Sequence, residues 1–199
     1  MAKTIDYYLS LVSPWSYLGH QRLLEIATRH QATINIWPVD LSVIFPQSGG
    51  LPLPKRAPVR QAYRMQELQR WRDYLNVELV LEPAYFPTSD KLAAAMVIKL
   101  RETQADAALG LAGACLRACW VEERDIGNPD TLGAIAEENQ LDASLLLADS
   151  DKALDTRTED SKAALQRGVF GVPTFIHGEQ IFWGQDRLDF LERALVASQ

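Results

Sequence analysis

The sequence predicts an α/β fold whose strands lie at the two ends of the chain and enclose a long, all-helical middle. Three observations lead there. Thr4 to Leu9 alternates and is rich in Ile and Tyr, as a strand is, and the apolar positions Leu23, Leu24, Ile26 and Ala27 that follow have helical spacing. Ile34 to Val39 alternates again, so the chain opens as a β-α-β unit with a parallel strand pair. Between Val59 and Arg167 the periodic stretches are helical, broken by a loop at Pro83 to Asp90, and strand-like runs return only at Val172 to His177 and Gln180 to Trp183, ahead of a closing helix. The order is β-α-β, then helices, then β-β-α.

Taken in order, Leu9 to Gly19 is a strand-to-helix turn. Ser13 is a residue type that caps helices and Pro14 suits the first helical position, so the Ser13 hydroxyl is expected at the positive end of a helix, a place that favours an anion. That Ser13 only caps the helix remains open on this evidence alone. Pro38 marks the end of the second strand or a sheet edge. Phe45 to Pro58 holds Pro46, Gly49, Gly50, Pro52, Pro54 and Pro58, and is read as a loop leading into the insertion.

Ala62, Tyr63, Met65, Leu68, Trp71 and Leu75 predict a helix over Val59 to Asn76. It carries Arg60, Arg64, Arg70 and Arg72, with Lys55 and Arg56 before it. These cations form a solvated face or, for the early ones, recognise carboxylates at the active turn. Thr88 or Ser89 is expected to cap a helix over Leu92 to Leu100. Further helices are expected at Ala105 to Glu123, at Pro129 to Asn139 behind an Asn128 cap, at Ala143 to Ala148 and at Asp151 to Arg167, which Gly168 ends. His177-Gly178-Glu179 turns between the last strands, and a helix runs from Arg187 to Ala197. The corresponding division is a domain built from 1–54 and 168–199 with an inserted helical domain at 55–167.

With 199 residues and 47% hydrophobic content the chain can bury a sizeable core. A net charge of -6 offers no general attraction to nucleic acid, and no apolar run is long enough to cross a bilayer. The N-terminus enters a strand without a basic, apolar leader, so a cytoplasmic location is expected. The only two cysteines, Cys115 and Cys119, share one face of an apolar helix and read as buried, inert thiols. His20, His30 and His177 are scattered, so surface or structural roles are their default and no metal site is expected.

Ser13-Pro14-Trp15-Ser16 has the spacing of a Cys-X-X-Cys redox motif at a strand-to-helix turn, with each cysteine replaced by serine. Phe170-Gly171-Val172-Pro173-Thr174-Phe175 precedes a strand near the other end. Together these resemble the thioredoxin superfamily, in which the matching proline is cis and packs beside the first helix. Ser-Pro-Trp-Ser-Tyr-Leu-Gly at 13–19, Gly-Val-Phe-Gly-Val-Pro-Thr-Phe at 168–175 and Phe-Trp-Gly-Gln-Asp-Arg-Leu at 182–188 narrow the resemblance. It points to the DsbA-like branch that holds the kappa-class glutathione transferases and the 2-hydroxychromene-2-carboxylate isomerases. Trp120 to Asp130 looks like the family's helical insert, and the resemblance spans nearly the whole chain.

A serine pair forms neither a mixed nor an internal disulfide, so thiol-disulfide exchange is excluded at this turn. A hydroxyl donor at a helix N-terminus suits holding the thiolate of another molecule. The resemblance implies that this molecule is glutathione and that Ser13 bonds its sulfur. It further implies that the backbone of Val172, before the cis Pro173, pairs with the cysteinyl part, and that Gln185 and Asp186 hold the γ-glutamyl end. Kappa enzymes often have serine where this chain has Gln185, and Asp186 otherwise reads as the cap of the last helix.

The implied reaction interconverts 2-hydroxychromene-2-carboxylate and trans-o-hydroxybenzylidenepyruvate during naphthalene-type aromatic breakdown, in a homodimeric enzyme. Trp15, Tyr17, Tyr63 and Tyr85 are candidate walls for the flat aromatic carboxylate, with Arg60 and Arg64 as candidate partners of its charge. The alternatives are a kappa-type transferase or peroxidase that consumes glutathione, and a non-catalytic binding protein on the same scaffold.

Overall fold

The computed structural model describes residues 3–197. Strand β1 (Thr4–Leu9) leads into helix α1 (Pro14–His30), and β2 (Thr33–Pro38) returns parallel to β1, with Ile5 opposite Ile34 and Tyr7 opposite Ile36. The far end supplies β3 (Thr174–His177) and β4 (Gln180–Trp183), and the four described strands form one sheet in the order β2-β1-β3-β4. β3 runs antiparallel to β1 and pairs with β4 through the turn at Gly178, whose φ of 60 suits glycine. Helix α9 (Leu188–Ala197) closes the chain after a 3-10 turn at Gln185–Arg187.

Between β2 and β3 the chain is helical: α2 (Leu41–Ser48), α3 (Pro58–Leu75), α4 (Lys91–Arg101), α5 (Ala105–Trp120), α6 (Pro129–Glu138), α7 (Ala143–Leu147) and α8 (Asp151–Gln166). A central strand covered on both faces is expected to be apolar, and β1 is so at Ile5 and from Tyr7 to Leu9, its one charge, Asp6, pairing with Arg167. Ile5, Tyr7 and Leu9 point into the main core with Leu23 of α1, Leu111 of α5 and Leu191 of α9. Tyr8 points to the opposite face, where Val39, Ile44, Ala164 and Ile176 form a second cluster. Since α1 also packs against α5, and β2 against α4, α5 and α8, the helical segment and the sheet share one continuous core.

The predicted elements are present, with four differences. The proposed loop from Phe45 begins as helix, because α2 runs to Ser48 and carries Pro46 inside it. Asp40 caps it through Ser42, Ile44 is fully buried against α8, and Gly49 at φ 75 ends it, so tertiary packing outweighs the proline. The cap position of α4 belongs to Asp90 rather than Thr88 or Ser89, but the Asp90 carboxylate bonds elsewhere and Ser89 Oγ accepts from the Lys91 amide at 3.4 Å. The Trp120 to Asp130 stretch runs from the last residue of α5 to the first turn of α6, and residues 121–128 between them are not helical. Finally, β3 starts at Thr174, after the cis Val172–Pro173 bond, and a second cis bond joins Phe86 to Pro87. No helix of the described residues is long and apolar enough to cross a membrane.

Candidate functional site

Three segments meet at one end of the sheet. The ladder puts Tyr8 opposite Thr174, and Thr174 opposite Trp183. One residue or a few beyond these pairs, β1 becomes the Ser10–Ser13 turn, β3 is preceded by Val172–Pro173, and β4 passes into Gly184, Gln185 and Asp186. The Gly184 amide donates to the Pro173 carbonyl at 2.8 Å and joins the last two. The structure thus gathers Ser13, Val172, Pro173, Gln185 and Asp186, residues more than 150 positions apart in the chain.

Ser13 is the N-cap of α1, with extended φ and ψ of -85 and 120. Its Oγ accepts from the Ser16 amide at 3.2 Å, and Pro14 follows at the first helical position. The first turn of α1 carries no acidic residue, so the positive end of the helix is left for an anion. Ser16 is fully buried, its Oγ facing the buried Tyr7 hydroxyl. The two serines therefore differ in kind: Ser13 lies at the mouth of the turn and Ser16 in the core.

Val172 stands outside the ladder, which begins at Thr174, and is only partly buried. Beside it, Gly171 packs under the Trp183 indole so closely that a Cβ there would fall 2.7 Å from Nε1, and Phe170 meets the same ring at 4.7 Å. Gln185 is 2% exposed, its Oε1 and carbonyl both accepting from Arg22 Nη1, at 2.8 and 3.2 Å. Its Cβ sits where a side chain on Gly19 would collide, at 2.9 Å, so α1 and the 3-10 turn are in close contact. Asp186 is exposed and pairs with Arg187 at 3.2 Å instead of capping α9.

The other candidates divide. Tyr17 is half-buried and donates its hydroxyl to the Glu78 carbonyl at 2.7 Å, tying α1 to the segment after α3, while burial pushes its phenol up. Trp15 is half-buried against the core. Tyr63 and Tyr85 are exposed and reach no other candidate. Arg60 is exposed, whereas Arg64 is partly buried, 5.6 Å from the Phe86 ring and 6.0 Å from Trp120, with no carboxylate partner among the described residues. Burial, and then Arg56, push the Arg64 guanidinium down to about 10, which leaves it charged at neutral pH. Sequence reading missed Asp90, which accepts from Ser10 and Leu11 just before the active turn, and Arg157, which binds Asp90. The polar run Thr88-Ser89-Asp90 hinted at the first; no local signal marks the second.

Cys115 and Cys119 are buried and free, and burial pushes both thiols up to about 12. Among the described residues no cluster of His, Cys, Asp and Glu could hold a metal ion. His20 is buried and pushed down to about 4, mainly by burial, while His30 lies 2.9 Å from Glu192. A surface groove of ≈ 550 Å³ runs along β4 and α9 past Trp183 and Phe190, but it includes neither Ser13 nor Val172 and is not this site.

Comparison with known proteins identifies the family and the fold. The family described as DSBA-like thioredoxin domain matches residues 4–196. The 2-hydroxychromene-2-carboxylate isomerase of Sphingobium xenophagum is 34% identical, over 98% of this chain and 100% of that protein. Glutathione S-transferase kappa 1 of Homo sapiens is 26% identical, over 98% of this chain and 92% of its own. A solved structure of a 2-hydroxychromene-2-carboxylate isomerase superposes with a TM-score of 0.82 at 29% identity, covering 98% of this chain and 95% of its own.

Proposed function

Because the chain belongs to the DSBA-like thioredoxin domain family and groups within it with the 2-hydroxychromene-2-carboxylate isomerases, we propose that it is a glutathione-dependent isomerase of that type, acting on an aromatic ene-carboxylate. The observation that carries the proposal is Ser13, a hydroxyl at the N-terminus of a helix free of acidic residues in its first turn, beside Val172–Pro173. A cysteine pair in the same place would serve electron exchange; a serine pair cannot.

The residues present fit glutathione. When bound, glutathione supplies a thiolate that adds reversibly to the unsaturated carbon, so that the carbon–carbon bond can rotate. The Ser13 hydroxyl accepts from Ser16 N and retains its own proton to donate to a sulfur, which together with the positive helix end favours the thiolate over the thiol. The exposed Asp186 carboxylate suits an α-amino group, and the main chain of Val172 offers an edge for an extended peptide. Gln185, occupied by Arg22, acts through the shape of its turn rather than through a free side-chain amide. Arg64, a partly buried cation without a carboxylate, suits the substrate carboxylate, and the neighbouring, partly buried Phe86 ring suits its flat body. A homodimer in the cytoplasm completes the proposal.

The test is turnover of 2-hydroxychromene-2-carboxylate with and without glutathione, together with the glutathione concentration before and after many turnovers. Isomerisation that needs glutathione and leaves its concentration unchanged supports the proposal. Consumption of glutathione assigns the kappa-type transferase or peroxidase reading, for which the kappa relative speaks. Glutathione binding without either reaction assigns the binding-protein reading.

A further inference from the structure

The first residue of the α4 cap would ordinarily spend its side chain on its own helix. Asp90 does not: Oδ2 accepts from Ser10 Oγ at 2.7 Å and from the Leu11 amide at 3.1 Å, 79 to 80 residues away in sequence. Oδ1 accepts from Arg157 Nη2 of α8 at 2.7 Å, and the same Nη2 donates to the Val39 carbonyl at 2.8 Å. Ser161 continues the chain of bonds, accepting from the Asp40 amide at 2.8 Å and donating to the Arg157 carbonyl at 2.7 Å. On the other side, Ser10 returns its carbonyl to the Ser13 amide at 3.0 Å.

The ion pair is largely withdrawn from water, with side-chain exposures of 5% for Arg157 and 12% for Asp90. Burying two charges recovers little stability beyond what desolvation removes, so stability alone is a weak reason for its presence. A carboxylate bonded to Leu11, two residues before a thiolate-binding serine, would, unopposed, act against the thiolate. We infer that Asp90 and Arg157 are positioning residues for the sulfur site: Asp90 holds the turn that carries Ser13, and Arg157 holds Asp90 and cancels its charge.

The other charged groups near the pair are Asp40 at the head of α2 and Lys91 next to Asp90. Cys115 and Cys119 of α5 face Asp90 as neutral thiols, with Arg124 and Asp125 beyond them. The inference rests on the reading of Ser13 given above. Its signature is that the two members of one pair act with opposite sign. Removing the cation leaves a bare carboxylate and opposes the thiolate; removing the carboxylate's charge with Asn keeps an acceptor oxygen for Leu11 and leaves a bare cation, which favours it. A merely structural pair would move both variants the same way or neither.

The experiment is ionisation of glutathione bound to the intact protein, read from thiolate ultraviolet absorbance against pH without any substrate, with glutathione affinity measured by calorimetry. Arg157→Met is expected to raise the bound thiol's pKa by about one unit. Asp90→Asn is expected to lower it, and the double variant to return it to the wild-type value. If Arg157→Met does not fold, Asp90→Asn and the double variant carry the same test. An unchanged or raised value in Asp90→Asn, or a double variant as shifted as either single variant, overturns the inference. A wild-type protein that binds glutathione without lowering its thiol pKa overturns the reading of Ser13 instead.

Discussion

The guanidinium carbon of Arg64 stands 5.6 Å from the centre of the Phe86 ring, and no carboxylate among the described residues accompanies it. Four positions earlier on the same helix, Arg60 is exposed to water. The pair therefore separates an inward cation from an outward one. Arg64→Gln is expected to raise KM for an anionic aromatic substrate roughly tenfold, about 1.4 kcal/mol, with kcat little changed. Arg60→Gln should leave KM near wild type. Steady-state kinetics at low and high salt check both, since the KM of the wild type should also rise with ionic strength. Equal kinetics in the two variants would return α3 to a solvated face.

Ser13 and Ser16 predict unlike outcomes from like substitutions. Ser13→Ala removes a cap, costing about 1 kcal/mol of stability. It also removes the hydroxyl aimed at sulfur, and kcat/KM is expected to fall about 10- to 100-fold, most steeply on the acid side of neutrality. Ser16→Ala deletes a buried hydroxyl that faces Tyr7 rather than the mouth of the turn, so activity should hold and stability should change by about 1 kcal/mol at most. Denaturant melts and pH–rate profiles of the two variants decide it.

Gln185 and Arg22 form a second testable support. Arg22→Leu strips the Gln185 oxygen of its donor in a buried position, which should cost about 1 to 3 kcal/mol and loosen the turn that carries Asp186. Glutathione affinity should fall with little change in kcat at saturation. Affinity equal to wild type would separate the turn from the glutathione site.

His20 gives the chain a pH dependence of its own. Its folded-state pKa is pushed down to about 4, chiefly by burial, from an unfolded value of 6.5. The unfolded state therefore binds the extra proton first on acidification. The stability in question is fully present above 6.5 and is lost as pH falls toward about 4, by up to about 3 kcal/mol. His20→Leu should flatten that part of the curve. Denaturation midpoints from pH 7 down to 4 (the span of the two pKa values) measure it.

Cys115 and Cys119, raised to about 12 by burial, should resist a thiol reagent at neutral pH in the native protein and react only on unfolding. Fast labelling of the folded chain would contradict their inert role.

Much of this molecule was legible in one dimension. Ser13-Pro14 between an alternating strand and a helical pattern specifies its own turn, because capping and proline chemistry act over three or four residues. Gly168 and Gly178 likewise act through their own backbone preferences, and Asn128 starts α6 through its side chain, which accepts from the Asp130 amide. The Cys-X-X-Cys spacing refilled with serine states the loss of redox chemistry without any coordinates. What tertiary structure alone decided lies where distant segments compete for a side chain. Pro46 sits inside α2 because Ile44 finds the core against α8. Asp90 abandons its cap role because Ser10, Leu11 and Arg157 offer it stronger partners across the fold. Gln185 is taken by Arg22, and Arg64 differs from Arg60 only in which way the helix faces. Local pattern encodes backbone conformation; charge pairing and burial depend on contacts between segments that sequence spacing does not contain.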